Sequence, residues 1–545
     1  MTRPVTRPVV WSVAGSDSGA GAGLQADLKA FEAFGGVHGC TVIASVTAQN
    51  SQAVTLIEPV SAGLFDAQLD ALQSDLPPRV IKTGLIADAE RVRQLAQRVR
   101  ALRAADQAAG REPVALVVDP LRRASTGAEF GGEALRRAML YELLPLADVI
   151  TPNRAEAAWL LGGSENLSAD VVPDDLPDLA RRLQALGPTT VVITGGDSPQ
   201  DAAGQRWCID WLLCPQTEGA LLSPRLETTH NHGTGCVFAS TLASALASGF
   251  CQADAAVLAK MATTEALRQG YAAGQGAGPV CPSSGFATDG RNLPRFVPAS
   301  SLQPGLGLAQ WLTPPVAFAS EAGLDLYVIV DSAAWVERVA RTGVRTIQLR
   351  LKPEVAAARG VELADEIARC VALQRQYGLK FYVNDHWQLA LAAGAWGVHV
   401  GQEDLDVVEV EALRCAGLRL GVSSHSLWEL CRAAALRPSY VACGPVHATT
   451  TKDMPWLPQG LTNLSWWTRA CHPMPVVGIG GFTPRRLEEA ATTGADGLAV
   501  LSGITAAADP EGEIASYQQA LQAGRAAVPF VATRPQPSLR GRWRA

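Results

Sequence analysis

At 545 residues, 48% of them hydrophobic, the chain holds enough apolar material for two or more domains, each with its own core. A formal net charge of -6 and a pI near 5.8 exclude a broad basic face for nucleic acid or anionic lipid, so any phosphate site must be local. Eleven cysteines without a CxxC pair, no signal-peptide core and no run of 18 apolar residues predict a reduced, cytoplasmic protein that does not span a membrane.

Residues 9–14 form a short apolar run of strand type that feeds G-S-D-S-G-A-G-A-G (15–23) and an amphipathic helix over 24–34. The glycine loop has neither the Walker A lysine nor the Rossmann spacing, which leaves close backbone approach to a small ligand as its use. Asp27, inside the helix, and Gln49, after a strand at 41–46, are polar groups able to read a heterocycle, although Asp27 also suits an ordinary first-turn acid. Apolar runs at 80–83, 115–119, 149–152 and 191–194 each end in a polar or glycine-containing turn. They predict a mostly parallel sheet with helices on both faces and ligands at the carboxyl ends of its strands. Further on, T-T-H-N-H-G-T-G-C-V-F-A (228–239) sets a glycine turn before a helical run at 237–248. Amides of Gly233, Thr234, Gly235 and Cys236 at a helix start attract phosphate oxygens. In that field Cys236 is expected to have a lowered pKa and to take the proton of a substrate hydroxyl; a buried cysteine after a tight turn is the alternative.

Taken in order, A-G-S-D-S-G-A-G-A-G-L-Q-A-D-L-K, T-A-Q-N-S, D-P, T-P-N-R-A-E and H-G-T-G-C resemble the hydroxymethylpyrimidine and phosphomethylpyrimidine kinases of thiamine biosynthesis, in the ribokinase-like superfamily. The resemblance covers about 9–270. It implies a three-layer α/β/α domain in which Gly15, Asp27 and Gln49 line the pyrimidine pocket, Gly233, Thr234 and Gly235 form the anion hole, and Cys236 takes the position of the catalytic base. ATP is the implied co-substrate. The chain departs from the family after Asp119-Pro120, where L-R-R-A-S-T-G replaces Val-Met, and at Thr194, where a lysine commonly precedes the glycines. Arg122 or Arg123 could supply that charge, with a solvated arginine pair as the plainer reading.

A bridge rich in Gly, Pro, Ser and Ala follows, and the division expected is a kinase domain at 1–280, a linker at 281–322, a second domain at 323–525 and a tail without fixed structure at 526–545. Eight apolar runs recur between 326 and 501, separated mostly by helical stretches, which is the arithmetic of a TIM (β/α)8 barrel. Its chemistry is then expected at strand carboxyl ends. Gln348, Arg350 and Lys352 alternate in Q-L-R-L-K and should face one side, where two cations beside an amide suit a diphosphate. Asn384 and Asp385 end the third strand, and Asp404 follows the fourth; paired hard oxygens suggest Mg²⁺. Ser423 closes the fifth, Thr449, Thr451 and Lys452 lie in the loop after the sixth, and G-I-G-G and V-L-S end the last two.

Q-L-R-L-K, V-N-D, V-G-Q-E-D-L, G-V-S-S-H-S, T-T-T-K-D-M-P, P-Q-G-L and G-I-G-G, in order, resemble thiamine-phosphate synthase over about 324–520. The resemblance implies that Gln348, Arg350, Lys352, Asn384 and Ser423 contact the pyrimidine diphosphate and Lys452 contacts it further. It makes Asp385 and Asp404 magnesium ligands, and gives Thr449, Thr451, Gly481, Leu501 and Ser502 to the thiazole phosphate. Ala448 stands where relatives place proline. One chain would thus phosphorylate hydroxymethylpyrimidine twice and join the diphosphate to thiazole phosphate, with small molecules as its only partners. A pyridoxal-type kinase fused to a regulatory or degenerate barrel is the rival; oligomeric state is left open, a homo-oligomer included.

Overall fold

The computed structural model of the chain describes residues 7–122, 132–162, 175–196, 199–302, 307–449 and 455–539. These fall into two units that divide between Thr313 and Pro314.

The first unit is built on ten strands: β1 (Val9–Asp17), β2 (His38–Gln49), β3 (Val54–Pro59), β4 (Val80–Thr83), β5 (Ala115–Val118), β6 (Val149–Ile150), β7 (Thr190–Ile193), β8 (Trp207–Cys214), β9 (Thr217–Pro224) and β10 (Arg295–Pro298). Their order is β10-β9-β8-β7-β6-β5-β4-β1-β2-β3. The run from β2 through β1 and β4 to β7 is parallel, and β3, β8, β9 and β10 extend it antiparallel at the two edges. Every residue of β4, β5, β6 and β7 is buried, the consequence of helices on both faces and the reason these strands read as unbroken apolar runs. The β8–β9 hairpin turns through Pro215 and Gln216, a two-residue connection that pins its register. Because β10 pairs with β9, part of the stretch expected to be linker belongs to the sheet instead.

The second unit is a closed barrel of eight parallel strands: β11 (Asp325–Val330), β12 (Thr346–Leu349), β13 (Lys380–Asn384), β14 (Gly397–Val400), β15 (Arg419–Ser424), β16 (Tyr440–Cys443), β17 (Val476–Ile479) and β18 (Gly497–Val500). β18 returns to β11, so no edge is left open. Tyr327, Tyr382 and Tyr440 fill its interior with ring centroids 5.3 to 6.1 Å apart. Two glycines make room for them: a Cβ on Gly397 would lie 2.6 Å from the Tyr382 ring. At Gly421 the Tyr440 ring would be met at 2.2 Å. Beneath the tyrosines, buried Glu321 accepts the Trp396 indole N–H at 2.7 Å and the Tyr382 hydroxyl at 3.3 Å, and pairs with Lys380 at 3.2 Å. The end of the expected linker is therefore part of the barrel's base.

The tail departs from expectation as well. Residues 527–539 run along the helix Gly460–Ala470, whose polar side chains act as substitute backbone partners. Asn463 bonds both the N–H and the C=O of Gln536, at 2.6 and 3.0 Å, and Ser465 does the same for Ala532 N and Phe530 O. A proline-containing segment outside any sheet is held this way, and its end adds a single antiparallel bridge between Trp456 and Leu539. No described helix is long and apolar enough to cross a membrane.

Candidate active sites

In the first unit a cavity opens at the carboxyl end of β1, where Gly15 lies next to a register shift and the loop 18–22 leads into the helix Gly23–Phe34. Asp17 shapes that loop by accepting the N–H groups of Gly19, Gly21 and Ala22 at 2.7 to 2.9 Å. Although burial pushes its carboxyl up, His232 and those three amides bring it net below the usual range. The opposite wall is the start of the helix Thr234–Ala247, capped by Gly233 at φ +90°, a conformation that favours glycine. A Cβ there would also meet Gly21 O at 2.2 Å, so the two glycine turns touch backbone to backbone. Gly15, Gln49, Gly233, Thr234, Gly235 and Cys236 all line this cavity, as the sequence leads one to expect. His232, which sequence reasoning missed although it lies in the quoted turn, lines it too, its Nε2 3.0 Å from Gln49 Nε2.

Two expectations are corrected here. Asp27 does not line the cavity. It is fully buried behind it, ion-paired to buried Lys82 at 2.7 Å and accepting the hydroxyls of Ser12 and Ser240. Cys236 is buried rather than activated: desolvation raises its thiol to about 12, against the lowering influence of the Lys82 ammonium. Lys82 itself stays charged, its burial outweighed by Asp27, Cys236 and Asp119.

Beside the first turn of the same helix sits Asp119, 3.7 Å from where a Gly235 Cβ would lie, with Oδ2 buried and unpartnered among the described residues. Burial raises the Asp119 carboxyl above the ordinary range, and burial together with the Asp119 charge raises Glu156. Glu156 completes a capping box with Asn153 at the start of the helix Arg154–Leu160, so its carboxyl is held in place by the backbone. Both folded values lie above the unfolded ones. The stability these groups lend is therefore complete below the ordinary carboxylate range and is lost as pH rises through their raised folded values. Glu156→Gln, which keeps the cap and removes the charge, should flatten the fall in unfolding temperature of the first unit between pH 6 and pH 9. Calorimetry of the full chain in chelator should show it as a smaller loss of unfolding temperature by pH 9; an unchanged slope would mean that Glu156 lends no such pH dependence.

The departures from the family's nucleotide segments are only partly visible. Arg122 lies over the Trp159 ring at 5.9 Å, and Arg123 is outside the described residues. After Thr194, the Gly195 N–H donates to Asp210, which pairs with Lys260 at 2.9 Å.

At the mouth of the barrel a cavity of about 290 Å³, roughly three times the volume of the first, is lined by Gln348, Arg350, Asn384, Asp385, Asp404, Ser423, Thr449, Gly481, Leu501 and Ser502. These come from seven different strands and their following loops, brought together only by closure of the barrel. Buried Gln348 holds its Nε2 without a partner among the described residues, a donor left for a ligand. Asp385 follows β13 at φ +63° and is raised by burial and then by the Asp404 charge. A carboxylate whose ionisation its carboxylate neighbour opposes, both at one wall, fits a hard divalent cation. Lys352 is a correction: β12 ends at Leu349, alternation stops there, and Lys352 is exposed and does not line the cavity. Thr451 and Lys452 lie outside the described residues. Sequence reasoning overlooked His399 and Glu403 on the same cavity, although His399 stands mid-strand in G-V-H-V at an inward position.

An α/β domain with a helix start facing a small cavity, and a barrel with cationic and acidic groups at its carboxyl end, fit the class of transferases that handle phosphorylated substrates. The sequence profile of phosphomethylpyrimidine kinase matches residues 17–281, and that of thiamine monophosphate synthase matches residues 326–504. The barrel is 45% identical over 195 residues to the thiamine-phosphate synthase of Neisseria meningitidis serogroup A / serotype 4A, covering 36% of this chain and 93% of that protein. It is 46% identical over 196 residues to that of Klebsiella pneumoniae subsp. pneumoniae, covering 36% and 89%. Among solved structures, the pyridoxal kinase of Staphylococcus aureus in complex with pyridoxal is 29% identical with a TM-score of 0.43, over 50% of this chain and 93% of that one. The phosphomethylpyrimidine kinase of Clostridium difficile 630 is 29% identical with a TM-score of 0.37, over 47% and 100%. The chain belongs to the thiamine-phosphate synthase family through its barrel and carries a phosphomethylpyrimidine kinase domain ahead of it, which makes it a bifunctional enzyme of thiamine biosynthesis.

Proposed function

We propose that the first cavity holds 4-amino-5-hydroxymethyl-2-methylpyrimidine, and then its monophosphate, between Gly15, Gln49 and the turn Gly233–Gly235, with ATP as phosphoryl donor. The substrate oxygen attacks the γ-phosphorus and ADP departs. The first-turn amides of Gly233, Thr234 and Gly235 hold the transferred group, and Cys236 takes the hydroxyl proton of the first step. Asp119 and Glu156, both raised by burial, are carboxylates that a phosphate-bound cation would bring to full charge.

In the barrel, Gln348, Arg350, Asn384 and Ser423 would hold the pyrimidine diphosphate, with Lys452 as a further cation. Thr449, Thr451, Gly481, Leu501 and Ser502 would hold the thiazole phosphate. Mg²⁺ on Asp385 and Asp404 would neutralise diphosphate charge. The bond between the pyrimidine methylene carbon and the diphosphate oxygen breaks, pyrophosphate leaves with the electron pair, and the thiazole nitrogen supplies the pair for the new C–N bond. Arg350 and Ser423 favour that departure by meeting charge that grows on the leaving oxygens.

The observation that supports this reading most is the convergence of seven strands' residues on one cavity, with a Gln348 amide unpartnered among the described residues, an arginine and the Asp385 and Asp404 carboxylates. The pure chain, given ATP, Mg²⁺, hydroxymethylpyrimidine and thiazole phosphate, should yield thiamine phosphate, pyrophosphate and ADP by mass spectrometry, with pyridoxal supplied in parallel as a competing substrate. Pyridoxal phosphate without thiamine phosphate would overturn it.

A further inference from the structure

Four side chains make one line from the barrel's interior to its mouth. The hydroxyl oxygens of Tyr327 and Tyr440 are 2.9 Å apart, Tyr440 Oη lies 2.7 Å from His399 Nδ1, and His399 Nε2 lies 2.8 Å from Ser423 Oγ. Tyr327, Tyr440 and His399 are 2%, 0% and 6% exposed, so their hydrogen bonds must be made inside the protein. Two phenols and an imidazole whose ring nitrogens both face neutral hydroxyls each carry one proton to donate, and the direction of the line becomes a matter of counting.

If the line runs outward, Tyr327 donates to Tyr440, Tyr440 donates to Nδ1, and Nε2–H donates to Ser423. Every buried proton then has an acceptor, and the proton of Ser423 is left to point into the cavity. If it runs inward, Ser423 donates to Nε2, Nδ1–H to Tyr440, and Tyr440 to Tyr327. The Tyr327 proton is then left over, because among the described residues its hydroxyl meets no polar partner except Tyr440. An unpaired buried donor is costlier than a reversed but complete line, so the outward direction wins.

We propose that Tyr440 and His399 are positioning residues that fix the Ser423 hydroxyl as an obligate hydrogen-bond donor to the diphosphate leaving group. This rests on the reading that Ser423 contacts the diphosphate. It assigns the interior phenols a purpose that phenylalanines of the same shape would not serve. It also separates the two tyrosines: without the Tyr327 hydroxyl, Tyr440 still donates to His399 and the direction survives, whereas without the Tyr440 hydroxyl the imidazole can take either tautomer and Ser423 can turn its proton inward.

The test uses the full chain with supplied pyrimidine diphosphate and thiazole phosphate. Tyr440→Phe should lower kcat about tenfold with little change in KM, a part of the roughly 10²- to 10³-fold effect of a whole oriented donor. On a Ser423→Ala background the same change should cost less than about twofold, since the group it orients is gone. Tyr327→Phe should cost several-fold less than Tyr440→Phe. His399→Gln, which keeps a donor and an acceptor, should retain more activity than His399→Leu, and this comparison stands even if a tyrosine variant fails to fold. Equal factors for Tyr440→Phe in both Ser423 backgrounds, or equal losses for Gln and Leu at 399, would overturn the proposal. A silent Ser423→Ala would refute the contact itself, and the line behind it with it.

Discussion

Cys236→Ala should lower pyrimidine phosphorylation by about 10²- to 10⁴-fold, the usual cost of losing a general base, while synthesis from supplied pyrimidine diphosphate keeps its parental rate. The first-turn amides remain in the variant because Gly233 at φ +90° sets the turn, not the cysteine. What is lost is the proton acceptor alone. Since burial holds the thiol at about 12, only a small fraction is ionised at neutral pH. The parental rate should therefore climb nearly tenfold per pH unit between pH 7 and pH 9, and Cys236→Asp should flatten that rise. The Lys82 ammonium, kept charged by Asp27, is what brings thiolate within reach at all. An alanine variant that phosphorylates at the parental rate, or a parental profile flat across this range, would take Cys236 out of the proton transfer.

The thiol also marks where sequence reasoning stops. A helix start stabilises a neighbouring anion by about 0.3–1 kcal/mol, at most about 2, whereas full burial can move a pKa by about 3–5 units, each worth about 1.4 kcal/mol. Helix position is legible in G-T-G-C-V; depth is not. The same holds for Asp27, whose partner Lys82 is 55 positions away on β4 and becomes a neighbour only when the sheet forms. Strands buried on both faces, such as Val80–Thr83 and Val476–Ile479, announced themselves as apolar runs and were placed to the residue. The antiparallel edges β3, β8, β9 and β10 were not singled out, because their place depends on a hairpin and on a β10 strand that arrives after a long interval of chain. Lys352 was placed inward by extending a period of two beyond Leu349, where the strand ends. The tail misled by composition. Its prolines preclude a helix or an inner strand, but Asn463 and Ser465 satisfy its backbone from a neighbouring helix, a pairing no local pattern announces.

Asp385 and Asp404 lie after neighbouring strands, β13 and β14, and the Asp404 charge is the second cause, after burial, of the rise at Asp385. Asp404 is steadied by the Gly401 N–H at 2.8 Å, and the Asp385 backbone is tied to β14 by its N–H on His399 O at 3.0 Å. The Asp404 carboxylate is thus held beside Asp385 and opposes its ionisation, a cost a shared cation would offset. If both bind one Mg²⁺, Asp385→Asn and Asp404→Asn should each reduce synthase kcat/KM by about tenfold or more, since even groups one step behind a metal ligand commonly cost 10- to 100-fold. Each should also raise the magnesium concentration needed for half-maximal rate. The double variant should lose less than the product of the two factors, because the first substitution already dismantles the site. Kinase activity of the same variants should be unaffected. Synthase rates measured against Mg²⁺ for the parent, both single variants and the double variant decide the matter: multiplicative losses with no shift in the magnesium required would return both carboxylates to separate, structural roles.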